Sequence, residues 1–156
     1  MIDSALKTIW ISTPYLIPPY RLRMALVSAA KRGVNVKLFV PGVPDKKIPY
    51  ALAKSEFSYL VKSGVHIYIY TPGFNHEKEM VVDDIFAFCG TINFDFRSLV
   101  HHFECGTVLY KCNCMKEIED DFKTMVSVSE EVPSDFRLRG IKKAVCSLFK
   151  IISALF

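Results

Sequence analysis

Apolar and polar positions alternate at two different periods along the chain, and the switches between them mark the elements. Residues 2–7 form a short amphipathic lead-in, and Thr8-Ile9-Trp10-Ile11-Ser12 alternates with period two and predicts a strand. Thr13-Pro14-Tyr15 stops it, and Pro18-Pro19 marks a loop. Leu22, Ala25, Leu26, Ala29 and Ala30 then recur at helical spacing over residues 21–31, with Gly33 placed to stop the helix. Residues 34–40 return to strand alternation and close on Pro41-Gly42. A second helix is predicted over about residues 50–62, ended by Gly64, and a strand over 65–70. Past Pro72-Gly73, residues 79–82 and 85–89 read as strands paired across Asp83-Asp84. A further strand is expected near 104–110 and a helix over 115–128.

Strand, helix, strand, helix, strand, a cluster of strands and a helix predict an α/β domain, a mixed β-sheet sandwiched between helices. Residues 1–132 form this domain, and the character changes after Pro133. The segment 136–143 is basic, and the last residues are apolar. Ile141, Val145, Leu148, Ile152 and Leu155 fall on one helical face, with Lys143, Ser147 and Lys150 opposite. Residues 133–156 are therefore expected to form a basic amphipathic helix. Such a helix lies at a membrane interface or packs on the protein's own core.

Composition narrows the picture only a little. A chain of 156 residues, half of them apolar, buries a core of one ordinary domain. A net charge of +4 suits work near anionic phosphates and does not mark a nucleic-acid binder. Five cysteines at scattered positions argue against a disulfide framework and for a reducing compartment. Cys112-x-Cys114, with Cys105 and His101-His102 upstream, is a poor zinc spacing, so free thiols serving as small hydrophobes are expected. The start of the chain lacks a signal-peptide pattern, and no stretch reaches the ~20 apolar residues of a membrane span.

The candidate chemistry lies in Phe74-Asn75-His76-Glu77-Lys78-Glu79-Met80-Val81-Val82-Asp83. Strand geometry beginning near His76 would put His76 and Lys78 on one face and Glu77 on the other. An imidazole beside an ammonium suits a phosphate. The imidazole attacks phosphorus or protonates a leaving oxygen, and the ammonium neutralises charge on the non-bridging oxygens. Gly90-Thr91-Ile92-Asn93 follows, offering a tight backbone and an amide donor. A carboxylate such as Glu104 can orient an imidazole and raise its basicity.

His76-x-Lys78-x4-Asp83 followed by Gly90-Thr91-x-Asn93 resembles the signature of the phospholipase D superfamily. Thr13-Pro14-Tyr15-Leu16-Ile17-Pro18, Ala29-Ala30-Lys31-Arg32-Gly33-Val34, Gly64-Val65-His66-Ile67-Tyr68 and Asn93-Phe94-Asp95-Phe96-Arg97-Ser98 resemble the second half of bacterial cardiolipin synthases. The resemblance implies a phospholipase-D-like half-domain, with two such motifs facing each other across a pseudo-two-fold axis. One histidine forms a phosphohistidine; the other protonates the leaving alcohol and activates the incoming one. The implied substrate is phosphatidylglycerol, giving cardiolipin and glycerol, with no metal and no cofactor. His76, Lys78 and Asp83 are the catalytic motif, Lys78 and Asn93 bind the phosphate, and Glu104 orients a histidine. Asp83 has the opposite parity to His76 and Lys78 and is expected to support structure. The implied partners are the phospholipid, a membrane surface and a second motif-bearing half, with no nucleic acid. The implied location is the cytoplasmic face of the bacterial cell membrane, held peripherally.

Two departures stand out. Only one His-x-Lys motif is present; His66, His101 and His102 have no lysine two residues on. The second half must come from an N-terminal half or a second copy, and a truncated or split gene is expected. His102 stands where asparagine is usual, and Glu77 where small or neutral residues are commoner. Three readings stay open: a half-site for phosphatidyl transfer, a homodimeric single-motif phosphodiesterase or nuclease, and an inactive fragment that binds membrane or a partner.

Overall fold

The computed structural model describes residues 1–138. Seven strands form one mixed sheet, in the order β6-β5-β4-β1-β2-β3-β7. The central strands β1 (Thr8–Ser12), β2 (Asn35–Pro41) and β3 (His66–Tyr70) are parallel. β4 (Glu79–Val82), β5 (Phe86–Gly90) and β6 (Gly106–Tyr110) extend the sheet antiparallel from β1, and β7 (Ser129–Glu131) closes the far edge on β3. The expected mixed α/β architecture is present. Of the predicted basic tail helix, residues 133–138 are described and are not helical; the rest lies outside the described residues.

The parallel centre is built by one device used twice. Helix α1 (Tyr20–Lys31) ends at Gly33, with φ +89°, and Val34 N–H returns to the Ala29 carbonyl. Helix α2 (Lys47–Lys62) ends at Gly64, with φ +90°, and Val65 N–H returns to the Leu60 carbonyl. A left-handed residue after the last turn reverses the chain into the next strand, and glycine takes that conformation without strain. α2 starts three residues before the predicted position. Pro49 sits in its first turn, where an N–H has no helical partner to lose.

Register sorts the side chains into two cores. Ile9, Ile11, Val36, Leu38, Val40, Ile67, Met80 and Val82 share one face, under Leu26, Val27 and Ala29 of α1 and Ala53, Phe57 and Leu60 of α2. Phe39, Tyr68, Val81 and Ala87 face the other way, toward Met115, Phe122 and Met125 of α4 (Met115–Ser127). Phe122 is fully buried between Trp10 and Phe39, at ring distances of 5.7 and 5.4 Å. Burying such a side chain contributes about 1.5–3 kcal/mol. Beyond Val132 the chain still packs on the first core, with the Phe136 ring 5.9 Å from Phe57.

Candidate functional site

β4 begins at Glu79, not near His76, so the motif histidine and lysine lie in the extended entry to the strand. The β4–β5 ladder is prolonged by one bond, from Gly90 N–H to the Lys78 carbonyl. Upstream of that bond Asn75 controls the backbone. Its Oδ1 accepts from Glu77 N–H at 2.8 Å, and its buried amide nitrogen donates to Ser12 Oγ at 3.0 Å. This local turn breaks the period-two alternation expected for residues 76–78. His76 and Glu77 both line a cleft with Tyr70, Phe74, Asn75 and Met125, which Lys78 does not line. The His76 ring packs on Phe74 at 5.3 Å, and His76 is exposed.

Lys78 turns its ammonium back to the His76 carbonyl, at 2.7 Å. Burial pushes its pKa below the ordinary lysine value, against the opposing pull of Glu104, Asp95 and Asp45. Those three carboxylates thus act on the ammonium electrostatically, without an ion pair to it among the described residues. Glu104 is anchored by Thr91 Oγ1, by Ser98 and by His102, whose Nδ1 lies 3.5 Å from Oε1. The Thr91 bond is the main cause holding the Glu104 carboxyl below the usual carboxylate range. Asn93 donates to Ser98 Oγ at 3.2 Å, while its Oδ1 is buried without a partner. Asn93 and Glu104 thus meet at Ser98. A cleft of about 210 Å³ beside them is lined by Tyr15, Lys46, Asn93, Asp95, Arg97 and His102, among others.

Gly90 has to be glycine for a reason of space. A Cβ there would sit 2.5 Å from the Cys105 carbonyl oxygen and 2.6 Å from Gly106 Cα, so β5 and β6 could not stay paired. Asp95 positions Ser98 in turn. It is the N-cap of the short helix α3 (Phe96–Val100), and its Oδ1 accepts from Ser98 N–H at 2.7 Å. Asp95→Ala is expected to cost about 1 kcal/mol, up to about 2, and Asp95→Asn close to nothing. Urea unfolding midpoints of the two variants check this; equal losses would remove the capping role.

Lys78, Asn93 and Glu104 are thus brought to one region. Glu104 makes no hydrogen bond to His76 among the described residues. Asp83 lies at the opposite end of β4, in the β4–β5 turn, where its carboxylate accepts from Leu6, Lys7 and Thr8 N–H. Asn75, Ser12 and Lys46 are participants that sequence reasoning gave no role. Asn75 carried a usable signal, as an Asx residue directly before the motif histidine.

The fold is that of a phospholipase-D-like domain. A family model described as "Cardiolipin synthase, PLD-like domain" matches residues 1–126. The chain belongs to that family. It is 39% identical over 157 residues to cardiolipin synthase 2 of Bacillus cereus, covering 99% of this chain and 30% of that protein. It is 49% identical over 132 residues to an uncharacterized protein of Streptococcus mutans, covering 85% of this chain and 29% of the other. The chain therefore spans about a third of the length of these relatives. Among solved structures, the phospholipase D family member Nuc of Salmonella typhimurium superposes with a TM-score of 0.72 at 22% identity, covering 84% of this chain and 85% of that one. Phosphatidylserine synthase of Haemophilus influenzae superposes with a TM-score of 0.76 at 18% identity, covering 97% of this chain and 40% of that one. At such identities the superpositions establish the fold alone.

Proposed function

We propose that this chain is one half of a phospholipase-D-type phosphatidyltransferase site that makes cardiolipin from two molecules of phosphatidylglycerol. The observation that carries the reading is the Lys78 ammonium gathered with Glu104 near Asn93, in a chain of the cardiolipin synthase family that holds one motif and about a third of its relatives' length. His76 and a histidine of the second half share the chemistry. The nitrogen of one bonds to phosphorus as the bond to the glycerol headgroup breaks, and the other gives the departing oxygen a proton. In the second step that same histidine takes a proton from the hydroxyl of another phosphatidylglycerol, whose oxygen displaces the first histidine from phosphorus. Lys78 and the second N–H of the Asn93 amide stabilise charge on the phosphoryl oxygens. Glu104 has no bond to His76 among the described residues, and the imidazole it orients is the one supplied by the second half. The reading calls for no metal, no cofactor and no nucleic acid.

The site works at a membrane surface, peripherally, on the cytoplasmic face. No helix of the described residues is long and apolar enough to cross a membrane.

The test is to incubate the chain with phosphatidylglycerol labelled in its headgroup, alone and with a matching N-terminal half. Cardiolipin and free labelled glycerol are expected only in the mixture, and unchanged by a chelator. Product from the chain alone would replace the split site with a self-paired dimer. Release of phosphatidic acid in place of cardiolipin would make water the acceptor. No product in either mixture would sink the enzyme reading.

A further inference from the structure

A pair of thiols on the α4 side of the sheet has no part in the reaction above. Cys112 and Cys114 place their Sγ atoms 2.9 Å apart, with one residue between them. The backbone forces this approach. Lys111 leaves β6 in the left-handed region, with φ +47°, and its N–H is tied to the Ile85 carbonyl at 2.9 Å. Met115 N–H then donates to the Cys112 carbonyl at 3.2 Å, closing a turn that folds Cys114 back toward Cys112. Asn113, between them, is exposed, and both cysteines are partly exposed. Two thiols already at van der Waals range or closer need little backbone movement to bond.

The geometry points to Cys112 and Cys114 as a reversible dithiol–disulfide site, oxidised by exchange with a low-molecular-weight disulfide such as oxidised glutathione. The Cys112 thiolate attacks one sulfur of that disulfide. An S–S bond forms to Cys112, and the departing thiolate takes up the proton Cys112 has lost. Cys114 then attacks the Cys112 sulfur, forms the internal bond and releases the second small thiol with the second proton. Two protein thiols are oxidised, and one external disulfide is reduced to two thiols.

Among the described residues, the neighbours favour this pair over any other. Cys89, on β5, donates its Sγ–H to Glu79 Oε1 at 2.8 Å. Burial first, and then that bond, push the Cys89 thiol up to about 12, so it stays protonated and unreactive at neutral pH. Cys105 is exposed next to Gly106, at the start of β6, while the pair follows that strand's far end. The hydrogen bond to Cys112 is the main cause raising the Cys114 thiol above its ordinary value. A ring spanning three residues removes little chain entropy from the unfolded state, so the bond is weakly stabilising and easily reduced.

The test equilibrates the folded chain in glutathione buffers of rising oxidised fraction, then quenches with acid, alkylates and maps peptides by mass. The peptide holding Cys112 and Cys114 is expected to lose the mass of two hydrogens and to escape alkylation as the buffer becomes oxidising, and to recover with dithiothreitol. In Cys114→Ser, checked for folding by circular dichroism, the reaction is expected to stop with one glutathione on Cys112. Full alkylation of both cysteines at every ratio, a bond from Cys112 to any other cysteine, or a Cys114→Ser chain that takes no glutathione at Cys112 would each overturn the assignment.

Discussion

Replacing His76 with asparagine is expected to lower cardiolipin formation on the order of 10³-fold or more, assayed with the second half and saturating phosphatidylglycerol. Both roles open to this histidine, nucleophile and proton carrier, need its imidazole, and asparagine supplies neither a nitrogen lone pair nor a titrating proton near neutral pH. The fold should not notice the change. The ring is exposed, packs only on Phe74 and makes no side-chain hydrogen bond among the described residues. Surface substitutions of that kind stay within about 0.5 kcal/mol. An unchanged urea midpoint together with the lost rate is the expected pair of results. Full activity in His76→Asn would move the chemistry elsewhere or reduce the chain to a binding fragment.

The contrast between His76 and its surroundings shows what the sequence made legible. The parallel core came from two helix–glycine–strand passages, at Gly33 and Gly64, whose local chemistry agrees with the global fold. The motif itself was readable because an imidazole two residues from an ammonium has little reason to sit at the head of an apolar strand. What stayed hidden depends on long-range partners. α3 is five residues long, and Asp95 nucleates it through one cap bond, a signal too short for periodicity. β7 is Ser129-Glu130-Glu131, polar throughout, and forms because the β3 edge offers it a ladder and Glu131 meets His66 Nδ1 at 2.6 Å. The expected split of His76 and Glu77 onto opposite faces carried alternation into a segment that Asn75 turns, and the two residues line one cleft. Tertiary hydrogen bonds decided each of these places, and a period count does not see them.

Asp83 shows the same dependence with a larger stake. Its parity had already suggested a structural role, and the structure supplies the partners. The carboxylate accepts from Leu6 N–H at 2.7 Å, Lys7 N–H at 2.7 Å and Thr8 N–H at 2.8 Å, fastening the lead-in of β1 to the β4–β5 turn. Asp83 also sits at φ +53°, a conformation that aspartate and asparagine tolerate better than alanine. Asp83→Ala removes all three bonds and adds backbone strain. Its partners Leu6 and Lys7 are exposed and regain water, so the loss is well below three full charged bonds, and about 3 kcal/mol is expected. Asp83→Asn keeps one acceptor oxygen and the backbone tolerance, and should lose about half as much.

The pH dependence has a definite sign. Burial alone would raise the Asp83 carboxyl, but the three backbone bonds, from Thr8, Leu6 and Lys7, together outweigh it and hold the folded-state pKa below the ordinary value. A depressed folded pKa contributes stability that is fully present above the unfolded value, near 3.9, and lost as pH falls through the folded one. The stability gap between the parent chain and Asp83→Asn should therefore be constant from about pH 7 to pH 5 and shrink below about pH 4. Urea midpoints across that range measure it. A gap that stays flat into acid would mean that the Asp83 charge contributes nothing to the anchor. Residual transfer activity should remain in Asp83→Asn wherever the chain is folded, because this carboxylate is spent on the backbone of residues 6–8 and, in the proposed site, the phosphate is left to His76, Lys78 and Asn93.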